Sequence, residues 1–199
     1  MFNIARHPEL FDPLREEIQR VLASSSFTKQ SLQELKLMDS VIKESQRLKP
    51  IVLAPFRRLC TTDIKLTNGW TIRKGEKIIV SSAHMQDSAY YDDPLEFDGY
   101  RFMRMRQTPG EENYSHLVST SEKHIGFGHG QHACPGRFFA ANEVKIALCH
   151  LLLKYDWKLP DGHDPKVIAA GMALISEPNG RLAVRRRVEE IDLDSLSEE

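Results

Sequence analysis

A mainly α-helical fold carrying small β-sheets is what this sequence predicts, on three observations. Apolar residues recur at helical spacing in three stretches, around residues 10–22, 41–48 and 144–155. Between the second and third lies Asn68-Gly69, a strong hairpin signal with strand-like residues on both sides. After Trp157 the chain is punctuated by Pro160, Gly162, Pro165, Gly171, Pro178 and Gly180, which suits short strands in a small terminal sheet.

The elements follow in order. Residues 1–6 read as a helix stub, and behind Pro8 the residues Leu10, Leu14, Ile18, Val21 and Leu22 form the apolar face of an amphipathic helix. Val41, Glu44 and Leu48 share a face of the next helix, which Pro50 terminates. Glu44 and Arg47 also stand three apart on that helix, so their side chains are neighbours. Taken alone, such a pair is most often a solvated contact of little energetic worth. Residues 57–60, then 63–66 with 68–72, then 74–80 read as strands. In the last long helix Val144, Leu148, Leu151 and Tyr155 define the inner face, with Asn142, Lys145 and Lys154 elsewhere on its surface and Cys149 as an inert packed thiol. Residues 188–199 follow Arg185-Arg186-Arg187 and carry six acidic side chains, which predicts a solvated, partly disordered tail after a single domain over residues 1–187.

Chemistry concentrates in the run from Phe127 to Arg137, Phe-Gly-His-Gly-Gln-His-Ala-Cys-Pro-Gly-Arg. Gly128, Gly130 and Gly136 let the backbone take positive φ and approach a flat ligand without Cβ clashes. Pro135 suits a first helical position, which puts Cys134 at or beside a helix N-cap. Free amides and the positive helix end favour a deprotonated sulfur there. Such a thiolate can hold haem iron and push electron density toward bound dioxygen. Phe127 would cover the sulfur side of the loop and His132 would donate to a haem propionate.

Two other readings compete for the loop. A Gly-rich turn with a buried cysteine serving as a small hydrophobe is the usual fate of a free thiol. Zinc is the other, since His124, His129, His132 and Cys134 lie in one short stretch. Their separations match none of the common Cys/His zinc spacings, and there is no CxxC pair.

The FxxGxxxCxG arrangement ending at Gly136 resembles the haem-binding signature of the cytochrome P450 family, with His132 where most members carry Arg. The longer run over residues 127–148, FGHGQHACPGRFFAANEVKIAL, is similar to the fungal secondary-metabolism branch, including ent-kaurene oxidase-like enzymes. Glu44 and Arg47 match the family's ExxR motif, and Phe97-Asp98-Gly99-Tyr100-Arg101-Phe102 resembles its PERF segment with Gly in place of Pro. The resemblance implies a buried triad of Glu44, Arg47 and Arg101 behind the haem. It also implies haem b (iron protoporphyrin IX) held by Cys134 as axial ligand, with Phe127, Gly128, His132 and Gly136 around it. His84 takes a structural role in this scheme. Either Arg57 or Arg58 would reach a propionate, with two solvated strand arginines as the equal alternative.

The implied activity is monooxygenation: one atom of dioxygen enters a lipophilic small molecule, terpenoid or another secondary metabolite, with electrons from a flavoprotein NADPH reductase. Residues 51–55 and 171–175 would border the substrate, and Lys123, Arg137 and Lys145 would face the reductase. The resemblance covers residues 2–187 but only the C-terminal part of a family member. The parent is thus expected at the endoplasmic reticulum membrane, on its cytoplasmic face, with its anchor and acid–Thr oxygen-activating helix outside this sequence. The rival expectation is a truncated, non-catalytic haem-binding or relic polypeptide.

Composition bounds these readings. At 199 residues and 41% hydrophobic, the chain can bury one core. A net charge of −1 argues against a nucleic-acid partner, whose footprint would be a basic excess. Three dispersed cysteines form no disulfide framework, and no apolar run approaches the ~20 residues of a membrane span.

Overall fold

The computed structural model describes residues 1–23 and 26–197. Helices α1 (Phe2–Arg6), α2 (Phe11–Leu22), α3 (Lys29–Glu34) and α4 (Lys36–Leu48) come first. Strands β1 (Phe56–Leu59), β2 (Ile64–Lys65), β3 (Thr71–Ile72) and β4 (Lys77–Val80) follow, then the short α5 (Arg101–Met105) and the long α6 (Arg137–Lys154). The chain closes with β5 (Tyr155–Lys158), β6 (Val167–Ala170), β7 (Ala173–Ser176) and β8 (Ala183–Arg186).

The core lies where α2 crosses α4 and α6. Leu14, Ile18 and Leu22 from α2 meet Met38 and Val41 from α4 and Cys149, Leu152 and Leu153 from α6, with Trp157 of β5 closing one end. No side chain caps α4 from its own N-cap, Leu35. Glu17 of α2 does so instead, accepting from the amides of Leu37 (2.7 Å) and Met38 (3.0 Å), two of the donors a helix start leaves unpaired. Burial raises the Glu17 carboxyl above its usual range, and these amide hydrogen bonds pull it partly back.

Among the described residues each sheet is a two-stranded antiparallel pair. β1 pairs with β4 and β2 with β3, the latter joined by a turn in which Gly69 holds φ +89° and the Asn68 side chain accepts from the Trp70 amide. β6 pairs with β7, and β5 with β8.

Three expectations change. Tyr155 opens β5 instead of continuing α6, and Val144 is 43% exposed. The buried stripe of α6 runs through Ala141, Lys145, Leu148, Cys149, Leu152 and Leu153. Apolar residues stand on every side of this helix with Asn142, Glu143, Lys145, His150 and Lys154 scattered among them, so periodicity could not say which side faces the core. Lys145, expected on the surface, is 4% exposed. Finally, the acidic tail delivers Leu193 to the core, with Ile191 and Leu196 packed beside it and Asp194 paired with Lys154 at 2.7 Å.

Candidate functional site

The site is built where α4, the segment before α5 and the loop leading into α6 converge. Glu44 and Arg47 are fully buried on α4 and paired twice, Nε to Oε2 and Nη2 to Oε1, each at 2.8 Å. Arg101 adds its Nε to Glu44 Oε1 at 3.1 Å, so the three side chains come together. The remaining donors go to the backbone: Arg47 Nη1 to the carbonyls of Met85 (2.7 Å) and Pro94 (2.6 Å), Arg101 Nη1 to that of Asp92 (2.6 Å). Tyr91 lies under the Arg47 guanidinium at 4.9 Å. Buried charges are tolerable only when so fully paired, and the arrangement ties residues 85–101, otherwise poor in regular structure, to one helix.

A second polar network, which the sequence reading missed, braces the approach to the cysteine loop. Lys43 is wholly buried and donates to the carbonyls of His116 (2.7 Å) and Ser119 (2.8 Å), with the Phe102 ring 5.1 Å from its Nζ. Burial pushes its ammonium down to about 7. Asp39 binds Lys145 Nζ at 2.7 Å and Arg106 at 3.3 Å, and accepts from the Leu117 amide. Lys145 also donates to the Leu32 carbonyl at 2.7 Å. Lys145 is therefore a structural cation and not a docking residue, which corrects its expected place beside Lys123 and Arg137. A signal existed for Lys145, which interrupts a face carrying Phe138, Ala141, Leu148, Cys149 and Leu152; none existed for Lys43, whose neighbours along α4 include Asp39, Ser40 and Arg47. His124 is equally buried, and that burial holds its imidazole well below the usual range.

The loop itself is open. Gly128 and Gly130 hold φ +74° and +71°, and a short 3-10 turn over Gly130–His132 precedes Cys134. The Cys134 amide donates to the Phe127 carbonyl at 2.8 Å, closing the loop on itself. Arg137 fastens it from α6, with Nη1 on the Cys134 carbonyl (2.8 Å) and Nε on the Val118 carbonyl (3.1 Å). α6 begins at Arg137 with Gly136 as its N-cap, so Cys134 stands two residues ahead of the cap instead of at it. The Cys134-Pro135-Gly136 stretch turns before the helical hydrogen bonds start, and helix ends shift by a residue or two on that account.

Cys134 is the exposed thiol, while Cys60 and Cys149 are buried, and burial pushes Cys149 up to about 12. His132 is exposed and Phe127 half-buried. Beside the loop lies an apolar groove of about 370 Å³, with Ile42, Ile51, Leu117, Phe127, Ala140 and Val144 in its lining. A Cβ at Gly130 or Gly136 would meet nothing within 4 Å. An exposed sulfur, glycines with open space beside them and an adjoining apolar groove fit a planar apolar ligand bound through sulfur. Among the described residues no three His, Cys, Asp or Glu side chains gather as a metal site, so the zinc reading finds no ligand set.

The other expected residues fall as follows. Residues 51–55 and 171–175 are hydrogen-bonded together, Leu53 N–H to the Met172 carbonyl (2.8 Å) and Leu174 N–H to that of Ile51 (3.0 Å). Arg57 reaches the Ala54 carbonyl and Met172 Sδ, whereas Arg58 stacks on Phe56 at 4.1 Å. The His84 ring bonds the Ser81 carbonyl at 2.8 Å.

Comparison with known proteins accords with this geometry. The cytochrome P450 family model matches residues 1–184. The chain is similar to cytochrome P450 monooxygenase eqxH of Fusarium heterosporum, 55% identical over 98% of this chain and 39% of that protein. It is also similar to cytochrome P450 monooxygenase olcG of Penicillium canescens, 52% identical over 97% of the chain and 39% of the relative. Among solved structures the cytochrome P450DA heme domain superposes with a TM-score of 0.73 at 25% identity, covering 94% of this chain and 39% of that one. The chain belongs to the cytochrome P450 family, a haem family, and spans about two fifths of the length of the relatives it matches. No helix among the described residues is long and apolar enough to cross a membrane.

Proposed function

We propose that the chain is the haem-holding, C-terminal part of a single-domain fungal monooxygenase, with residues 1–187 in the domain and 188–199 as its tail. Its parent inserts one atom of dioxygen into a lipophilic small molecule, terpenoid or another secondary metabolite. The observation that carries the reading is the exposed Cys134 on a loop fastened from both ends, in a chain of this family.

The residues divide the work. Cys134 would hold the iron of haem b through its sulfur, and Gly128 and Gly136 would lie against the macrocycle. With haem bound, Phe127 would cover the sulfur side of the loop, and the exposed His132 imidazole would meet a propionate. Glu44, Arg47 and Arg101 hold residues 85–101 rigid behind the loop. When bound, a thiolate-ligated haem supplies the oxygen-activating chemistry. Residues 51–55 and 171–175, already joined by backbone hydrogen bonds, border the substrate. Lys123 and Arg137 present positive charge to a flavoprotein NADPH reductase, and the parent works on the cytoplasmic face of the endoplasmic reticulum.

The test is to express the full-length parent with a reductase, feed terpenoid and fatty candidates under isotopically heavy dioxygen, and weigh the products. One labelled oxygen per product, absent in Cys134→Ala, is the expected result. Label taken from water, or product formation indifferent to Cys134, would overturn the reading.

A further inference from the structure

We infer that Gln46 is a positioning residue for the cysteine loop: its side chain fills the hollow that Gly126 leaves and so sets where the chain enters Phe127. The inference rests on the function proposed above, since it concerns the loop that would hold the haem.

Gln46 lies between Glu44 and Arg47 on α4, and those two buried, doubly paired side chains fix the rotation of the helix. Gln46 is thereby aimed at the backbone of residue 126. A Cβ on Gly126 would stand 2.8 Å from Gln46 Cγ and closer still to its amide, nearer than side chains tolerate. Gly126 is absent from the positive-φ glycines, so a Cβ here meets no backbone strain and collides only with the Gln46 side chain, which would have to move. From there the connection to the sulfur is short. Gly126 bridges to Gly128, and the next residue, Phe127, gives its carbonyl to the Cys134 amide at 2.8 Å.

Gln46 also has somewhere else to go. Its Oε1 is buried without a hydrogen-bond partner, a costly state for an amide oxygen. The same residue lines the apolar groove beside Phe127, Ala140 and Val144. The side chain therefore rests against Gly126 or swings into the space beside the loop, and a group added at residue 126 forces the second arrangement. The position of the loop and the conformation of Gln46 are coupled through one close contact.

The exposure of Cys134, with Cys60 and Cys149 buried, supplies a readout that needs no haem. The native 199-residue chain is alkylated with iodoacetamide and the rate at Cys134 followed by peptide mass spectrometry, in wild type, Gly126→Ala, Gln46→Ala and the double variant. Gly126→Ala should change that rate by at least about threefold, and adding Gln46→Ala should return it to within about twofold of wild type, the non-additivity expected of residues in contact. Additive effects, or a Gly126→Ala rate equal to wild type, overturn the inference. Should Gly126→Ala not fold, a folded double variant with the wild-type rate supports the inference and an unfolded one overturns it. On haem reconstitution the carbon monoxide-bound Soret band should move in Gly126→Ala and return in the double variant. Absence of that band from every protein, wild type included, would strike the haem assignment while leaving the thiol result to judge the coupling.

Discussion

Lys43 places an ammonium where no water reaches, held by two carbonyls and an aromatic face. Its folded-state value of about 7 against an ordinary 10.5 means that between those limits the unfolded chain carries a proton the folded chain has released. Stability should therefore rise with pH across that window, and the contribution of Lys43 should level off below about 7, where both states carry the proton. Asp39, Arg106 and the neutral His124 face the same region and set the local field. Melting curves from pH 7 to pH 10 check this: the rise should shrink markedly in Lys43→Met, and an identical rise would assign the pH dependence to other groups. At this scale the positive φ of Gly128 and Gly130 was legible from the sequence, whereas Gly136, expected to share it, sits at φ −82° as the N-cap of α6. The partner of Lys145 was not legible, because Asp39 lies about a hundred residues away in sequence and only tertiary packing brings them together.

At the scale of elements, α4 carries most of the site: Glu44 and Arg47 toward residues 85–101, Lys43 toward residues 116–119, Gln46 toward Gly126. Spacing alone offered Glu44 and Arg47 as a surface pair, and burial decides otherwise. Stranding the Glu44 carboxylate by removing its partner should cost on the order of 3–5 kcal/mol. Arg47→Ala should accordingly lower the melting temperature steeply and keep soluble, haem-loaded protein from accumulating in the full-length context. Normal haem content and melting temperature would reduce the pair to neighbours. The β2–β3 hairpin was readable from Asn68-Gly69 because turn chemistry is local. The facing of α6 was not, because polar and apolar residues mixed around the whole helix leave the choice to its neighbours.

At the scale of the whole molecule, one cluster drawn from α1, α2, α4, α6 and the tail supports a site whose apolar groove stays open along Ile51 and Val144. Water entering there would compete with productive chemistry. The 199-residue chain, supplied with haem, reductase and NADPH, is therefore expected to send electrons into free peroxide and to yield little oxygenated product. Tight coupling of electron use to product would mean that these residues alone enclose a complete active site. The central claim, that Cys134 sulfur is the haem ligand, is tested most directly by the reduced, carbon monoxide-bound absorption spectrum of the reconstituted chain. The account predicts the red-shifted Soret band of thiolate ligation in wild type and its loss in Cys134→Ala, and an unchanged band in that variant would contradict it.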